Sequence, residues 1–532
     1  MKNLIKENIG FVIVTILLTL FTALLTVSVP LLLSKVFKED YQLNYQMLLW
    51  IIVFMFITYA IQIFMVFIRE NFAEKFNSNY ARNLYGELHK MKYDSILSKE
   101  STYLIERIGQ SIDSFYMFIS NSLVGIVSNI IILMIALLLV CQINFVLGLL
   151  LLFLIPLNYL GYKAINKELH KKAMTMQKET AQGYKDLISV FKNVDMIKQE
   201  SNINRINYLI KPSLEKIYHS RAKVNKFGQS SSLVIKLINN FVQNLLFFIL
   251  AFMIYTNQTT VNDLIIISII LPIFFTALQG FTNINLEFRD IQVSKEFIID
   301  ELLTEKEQNG HVKLNEIHSI SLNVVKSSIG DKPLIYDIND EFKKGDIVFV
   351  KGASGAGKSS LMKLLLKFRQ SDGVFINGIA IEEIENYSLR DKIFYLSQDT
   401  AILPFTMKEN ILFGKKDFNI GWDKIRNSPL LKTILKDGNT LDMKIFEYGT
   451  NLSGGEKQRL MLSRLLIENF DVIILDEVTS NIDKESQELI FKTLVNDYKE
   501  KIVFIISHNL NNENYCNKTI HISARHTTGN EI

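Results

Sequence analysis

Five stretches of the chain carry no Asp, Glu, Lys or Arg, and all lie before Glu287: Asn8 to Ser34, Tyr41 to Ile68, Ser114 to Tyr162, Leu237 to Asn262 and Leu264 to Leu286. A helix crossing lipid needs about 20 consecutive apolar residues and tolerates almost no ionised side chain, so these windows restrict the fold more than any other feature. The window from Ser114 to Tyr162 is too long for one span and suits two, joined by a tight turn near Gln142 to Asn144. Only Asp263 separates the last two windows. Six spans are expected, over residues 9–36, 44–68, 115–141, 144–164, 234–256 and 262–286. The first is not a signal peptide: its apolar run exceeds the length of a signal core and continues through Pro30-Leu31-Leu32-Leu33 without a small-residue cleavage site.

Lys and Arg in the flanking segments set orientation. The turns at 142–144 and 255–263 contain none, whereas the connection 69–113 includes Arg69, Lys75, Arg82, Lys90, Lys92, Lys99 and Arg107, and the connection 164–232 is richer still. Both connections and both ends are therefore expected in the cytoplasm, with the spans in the cytoplasmic membrane. Segment 164–229 has Leu, Ile, Val and Phe at three- and four-residue intervals with few breakers, so it reads as helix continuing beyond the bilayer. The tips near Ser101 to Arg107 and Lys185 to Asp195 are the expected coupling points to whatever lies below.

From about Gly310 the pattern becomes short β-rich runs alternating with amphipathic stretches, that of an α/β domain with a substantially parallel sheet. The expected layout is a membrane α-helical bundle over 1–300, a linker over 301–318 and an α/β P-loop domain over 319–532. A net charge of +4 among 21% charged residues gives no reason to expect a nucleic-acid partner. Cys141 and Cys516 stand far apart in sequence and read as ordinary thiols.

The strand Asp346 to Val350 leads into Gly352-Ala353-Ser354-Gly355-Ala356-Gly357-Lys358-Ser359, followed by a helix opening with Ser360. This is G-x-x-x-x-G-K-[ST] in the strand-to-helix context that a phosphate-binding loop requires. Its glycines let the backbone wind closely around an anion and aim N–H groups at it. Lys358 would reach the β- and γ-phosphates of ATP, and the Ser359 hydroxyl would bind Mg²⁺. A second apolar strand, Val472 to Leu475, ends in Asp476-Glu477, where one carboxylate can hold Mg²⁺ and the other can orient the attacking water.

Leu452-Ser453-Gly454-Gly455-Glu456-Lys457-Gln458-Arg459 resembles the signature of ATP-binding cassette (ABC) proteins, with Glu456 in the usual Gln position. The six spans extend the resemblance to exporters built as half-transporters, of the kind that move drugs or peptides in bacteria. The resemblance implies a dimer, most simply of two copies of this chain, though a different half would serve. In such a dimer Ser453, Gly454 and Gly455 of one cassette close over the nucleotide held by the other's phosphate loop. It further implies that Gln398 contacts Mg²⁺ and water, that His508 holds the γ-phosphate, and that Glu477 and His508 make both sites competent for hydrolysis. Thr406 to Ile411 resembles the T-x-x-E-N-I stretch of exporter cassettes, and Glu447-Tyr448-Gly449 the short exporter segment before the signature.

Two departures stand out. The aromatic residue that stacks on adenine in the family should fall near Ile329, where there is none, and Ser480-Asn481-Ile482-Asp483 stands where the family commonly has S-A-L-D. For cargo, Lys236, Asn240, Gln243 and Phe247 share one face of the fifth span, with Asn239 and Asn244 beside it, and Pro272, Phe275, Gln279 and Asn283 mark the sixth. Such a mixed lining suits a hydrophobic or amphipathic peptide, lipid or drug. A bacteriocin-like peptide is the first expectation, and with no peptidase before the first span it would be leaderless or trimmed by another protein. The competing expectation is an ATP-gated membrane sensor or immunity protein that binds a ligand without moving it.

Overall fold

The computed structural model describes residues 9–38, 45–330, 332–398, 401–416, 421–432, 434–435, 440–478, 487–488, 491–492 and 497–525. They form two compact units, one of residues Met1–Met91 and Ser95–Lys306, the other of Lys92–Asp94 and Glu307–Ile532.

The first unit is helical. Its elements are α1 (Ile9–Lys38), α2 (Tyr45–His89), α3 (Tyr93–Lys99, shared with the other unit), α4 (Ser101–Ile143), α5 (Phe145–Phe191), α6 (Val194–Gln199), α7 (Ile203–Tyr255) and α8 (Val261–Phe297). Among the described residues five helices are long and apolar enough to cross a membrane, and α1 adds the apolar stretch Ile13–Thr26. At about 1.5 Å rise per residue, the 47 residues of α5 and 53 of α7 far exceed the ~30 Å hydrocarbon core, so both continue well outside it.

Polar residues in the window breaks act as helix caps. The Asn144 side chain accepts from the backbone N–H groups of Val146 and Leu147, which starts α5 where the long uncharged window was expected to turn. Thr260 and Asp263 cap one another reciprocally and start α8, so the lone charge between the last two windows has a local structural role. The buried core of this unit is formed by α4, α5, α7 and α8 around Leu133, Leu151, Leu250 and Phe274.

The first expected coupling tip needs correction. Ser101 to Arg107 is the first part of α4 rather than a turn, with Leu104 and Arg107 buried: Arg107 is 1% exposed, donates to Gln177 Oε1 at 2.7 Å and lies over the Phe297 ring. The first connection turns earlier, and Lys92–Asp94 there packs as part of the second unit: Tyr93 stacks on Phe368, and Asp94 receives a bidentate bond from Arg369 at 2.6 and 2.9 Å. The second connection first breaks between Phe191 and Val194, within the expected range, and runs on through α6 to the start of α7 at Ile203; Lys185, at the near edge of that range, pairs with Glu100.

The second unit holds two five-stranded sheets. One has the order β10-β2-β1-β4-β5, from β1 (Ser319–Ile329), β2 (Lys332–Lys343), β4 (Ser371–Ile376), β5 (Ile379–Ala380) and β10 (Ala524–Arg525), and all its pairings are antiparallel. The other is parallel, β6-β7-β8-β3-β9, from β3 (Ile347–Lys351), β6 (Ile393–Leu396), β7 (Val472–Asp476), β8 (Ile502–Ile506) and β9 (Lys518–His521). Every residue of β7 and β8 is buried, as the continuous apolar runs of a sheet covered on both faces require. Three short helices complete the frame used below: α9 (Lys358–Leu365), α10 (Met407–Leu412) and α11 (Gly454–Leu462).

Candidate active site

In parallel α/β sheets, ligands bind in the crevice beyond the carboxyl ends of the strands. Here β3, β6, β7 and β8 run side by side, and beyond their ends lie the phosphate-binding loop, Gln398, Asp476-Glu477 and His508 respectively.

Between β3 and α9 the loop needs glycine in two different ways. Gly355 and Gly357 have φ of 80° and 85°, the left-handed region that suits a residue without Cβ. Gly352 has an ordinary φ, but a Cβ there would lie 2.6 Å from the Ile522 carbonyl oxygen. Lys358 opens α9 and folds its ammonium back onto the carbonyls of Gly352 and Ala353, 3.0 Å from each. It is 8% exposed and, among the described residues, it bonds only these carbonyl oxygens, a buried cation poised for an anion. Ala353, Ser354, Ala356, Ser359 and Ser360 occupy the same loop and first helical turn.

Asp476 ends β7, 3% exposed. Burial pushes its carboxyl above the usual carboxylate range, while hydrogen bonds from the Ser359 and Tyr395 hydroxyls pull it back. Tyr395 donates to Oδ2 at 3.1 Å, and Oδ1 is buried without a partner. A buried carboxylate with an orphaned oxygen beside a serine hydroxyl fits a hard divalent cation. No group of three or more His, Cys, Asp or Glu residues suited to a metal occurs among the described residues. The donor set is therefore one carboxylate and a hydroxyl, with Gln398 near, which matches a Mg²⁺ ion that takes its other ligands from water and substrate phosphates.

Glu477 departs from the strand with φ 54° and brings two expected residues together. Gln398 Nε2 donates to Glu477 Oε2 at 2.8 Å, and His508 Nε2 lies 2.8 Å from Glu477 Oε1. Ser507 supports this position, because its hydroxyl accepts from Asn512 Nδ2 at 2.8 Å and from the Asn509 N–H at 3.1 Å. Glu477, Gln398 and His508 thus form one cluster, and Ser359 and Asp476 a second immediately beside it.

The signature residues lie elsewhere in the unit, at the start of α11. Ser453 caps the helix: its hydroxyl receives the Glu456 N–H, while the Glu456 carboxylate accepts from the Ser453 N–H at 2.7 Å and hydroxyl at 2.8 Å. Gly454 and Gly455 form the first turn. Among the described residues no hydrogen bond joins this end to the phosphate-binding loop.

The Thr406 to Ile411 motif has a structural explanation. Thr406 and Glu409 cap α10 reciprocally, and wholly buried Asn410 bonds Leu403 through both its amide oxygen and nitrogen. Sequence reasoning missed two tyrosines. Tyr395 supports Asp476, and Tyr336 donates to the Gly357 carbonyl at 2.8 Å, its phenol pushed up to about 12 by burial. Strand alternation marks both as inward-facing, but nothing in it names their partners. Tyr336 is fully buried, so it does not replace the missing adenine aromatic; Ile329 remains a partly exposed aliphatic side chain there. Residues 480–483 lie outside the described residues.

The expected cargo face divides. Lys236, Asn240 and Asn244 are exposed and Gln243 half-buried, but Phe247 and Phe275 pack into the helical core rather than lining a cavity. Asn239 is buried with neither amide atom bonded. Pro272 is exposed and Gln279 half-buried, while the Asn283 side chain lies outside the described residues.

Comparison with known proteins covers both units. The family described as the ABC transporter transmembrane region matches residues 9–278, and the ABC transporter family matches 335–480. A probable ABC transporter ATP-binding/permease protein of Haemophilus influenzae is 29% identical over 320 residues, 59% of this chain and 57% of the relative. The sublancin-168-processing and transport ATP-binding protein of Bacillus subtilis is 25% identical over 440 residues, 80% of this chain and 61% of the relative. An ATP-dependent lipid A-core flippase of Pasteurella multocida is 29% identical over 314 residues, 56% of this chain and 54% of the relative. The matches thus span between 54% and 61% of these relatives' lengths. A bacterial Atm1-family ABC exporter, solved with ATP bound, superposes with a TM-score of 0.81 at 19% identity, covering 98% of this chain and 94% of that one. At that identity the likeness establishes the fold.

Proposed function

Since this chain belongs to the ABC transporter family, with its transmembrane region and nucleotide-binding region fused in one polypeptide, we propose that two copies form an exporter that hydrolyses ATP to move an amphipathic substrate out across the cytoplasmic membrane. The observation that carries this reading is Glu477 held between Gln398 and His508, next to Asp476 and Ser359.

The residues divide the work. The loop from Gly352 to Ser359, with Lys358 and Ser360, binds the phosphates through backbone N–H groups and the ammonium. A Mg²⁺ ion held through Ser359, Asp476 and Gln398 would neutralise charge developing on the phosphate oxygens. Glu477 orients the attacking water and accepts its proton, with Gln398 fixing one carboxylate oxygen and His508 the other. His508, 61% exposed, is open to a γ-phosphate. Ser453, Gly454 and Gly455, at a helix N-terminus with no bond to their own phosphate loop, suit the nucleotide of a second copy. Motion passes to the bundle through Lys92–Asp94, whose chain continues on both sides into the helical unit.

A peptide is the first choice of cargo, supported by the relative named for sublancin, which matches the largest share of this chain among those described. The relative named as a lipid A-core flippase supports a lipid as the second. The test uses inverted vesicles containing the full chain and a labelled amphipathic peptide. Accumulation driven by ATP and abolished by Glu477→Gln is expected. ATP hydrolysis stimulated by the ligand without accumulation would replace the exporter by a ligand sensor.

A further inference from the structure

The strongest unassigned feature is a groove in the helical unit where α5 and α8 run together. Its upper part is an apolar pocket of about 450 Å³, walled by Ile126, Leu133, Ile155, Leu278, Phe281 and Ile284. Its lower part is a pocket of about 550 Å³ rimmed by the charged or titratable side chains of Lys167, His170, Lys295, Glu296 and Asp300. Asn166 lines both.

The change of character coincides with the end of the membrane. The uncharged windows finish at Tyr162 on α5 and Leu286 on α8, and Lys163 is the first charge on α5. The apolar pocket therefore faces the level of the cytoplasmic leaflet's acyl chains, and the polar pocket the level of its headgroups. Lys163, Lys167 and Lys295 make no ion pair with any described residue, whereas Glu296 is engaged by His170 Nε2 at 3.0 and 3.1 Å. The groove thus offers three unpaired ammonium groups against two carboxylates, Glu296, already engaged, and Asp300 at the far end of the polar part, and it keeps an excess of positive charge. Two polar atoms in it are buried without partners: Asn166 Oδ1, whose amide nitrogen binds Asn285, and His170 Nδ1. Protein interiors pack closely, and an apolar space of this size open to lipid will be filled by hydrocarbon.

We propose that this groove is a binding site for an anionic phospholipid of the cytoplasmic leaflet. One acyl chain occupies the apolar pocket, the phosphate lies between Lys163, Lys167 and Lys295, and a headgroup hydroxyl donates to Asn166 Oδ1. The site depends on the helical unit alone and holds whichever cargo the exporter carries.

Native mass spectrometry of the delipidated full chain, titrated with phosphatidylglycerol and with phosphatidylcholine of the same acyl chains, tests this. Phosphatidylglycerol is expected to bind at least tenfold more tightly. The pair Lys163→Gln and Lys167→Gln should weaken it about 25-fold, at roughly fivefold for each lysine near an anionic headgroup, and weaken phosphatidylcholine, whose choline offsets its phosphate charge, by much less. Ile155→Trp, which fills the apolar pocket, should weaken both lipids. Equal binding of the two lipids by the native chain overturns the proposal. So does unchanged phosphatidylglycerol binding by the Gln pair, or glycerol phosphate competing as well as the whole lipid. Thermal midpoints of the variants separate a lost site from a lost fold. Binding is read without ATP or cargo, so failure here leaves the exporter reading standing, and failure of export leaves this one.

Discussion

The helical unit and the nucleotide unit both contain long apolar runs, yet they bury them in opposite ways. The most apolar window of α2 is 6% buried within the protein and Phe56 on it is 73% exposed, whereas all five residues of β7 and all five of β8 are buried. Lipid replaces protein as the solvent of the first unit, so an outward apolar side chain there needs no neighbour. In the second unit the apolar strands must be covered on both faces, and that cover forces the polar residues at their ends into defined contacts. Hydrogen-bonded chemistry is therefore concentrated in the nucleotide unit and sparse in the spans.

The largest effect expected to sharpen this contrast is on turnover. Glu477→Gln should lower ATP hydrolysis by about a thousandfold with nucleotide binding retained, because it removes the base and leaves Lys358 and the loop intact. Hydrolysis within tenfold of the native rate in a purified-protein phosphate assay would separate Glu477 from the chemistry. Next is a paired substitution. Phe56→Asp should cost about 3 kcal/mol of membrane insertion, while Phe446→Asp, at an exposed aromatic of the nucleotide unit, should change stability by less than about 0.5 kcal/mol. Comparable losses, read as membrane-integrated yield and thermal midpoint, would break the idea that the two exposures have different solvents.

A smaller effect is expected from Asn410→Ala, which strands the Leu403 N–H, while the Leu403 and Thr406 carbonyls keep their backbone donors. A loss of about 2 kcal/mol in denaturant unfolding should follow. The smallest has the opposite sign. Burial raises the Asp476 carboxyl above its unfolded value, so the ionised side chain burdens the nucleotide-free fold. That burden is absent below the unfolded value and fully present once pH exceeds the folded one. Asp476→Asn should therefore raise the midpoint of the nucleotide-free protein by about 3 °C at pH 7 and remove the Mg²⁺ dependence of nucleotide binding. A lowered midpoint would mean that the carboxylate is stabilised by more than Ser359 and Tyr395.

The site was legible wherever chemistry imposes short spacing. Gly352 to Ser359 and Asp476-Glu477 each lie within a few residues of a strand end, and a strand that ends at a crevice carries its next residues into it. Gln398 and His508 were placed by resemblance, and their meeting at Glu477 follows from the adjacent positions of β6, β7 and β8. Tyr336 and Tyr395 were not legible, since a strand residue's partner depends on which loop lies above it. Phe247 and Phe275 were misread because a shared helical face does not say whether a neighbouring helix covers it.

Absence of charge by itself marked the long apolar helices, and glycine spacing by itself marked the tight loop between β3 and α9, because both are costs a chain incurs residue by residue. The position of the first connection's tip was decided only in the folded chain: Arg107 is buried, and Lys92–Asp94 leaves the helical unit. The same holds for the orphaned oxygen of Asp476 and the groove at Asn166. Each depends on which distant elements lie side by side, a property of packing that local spacing does not carry.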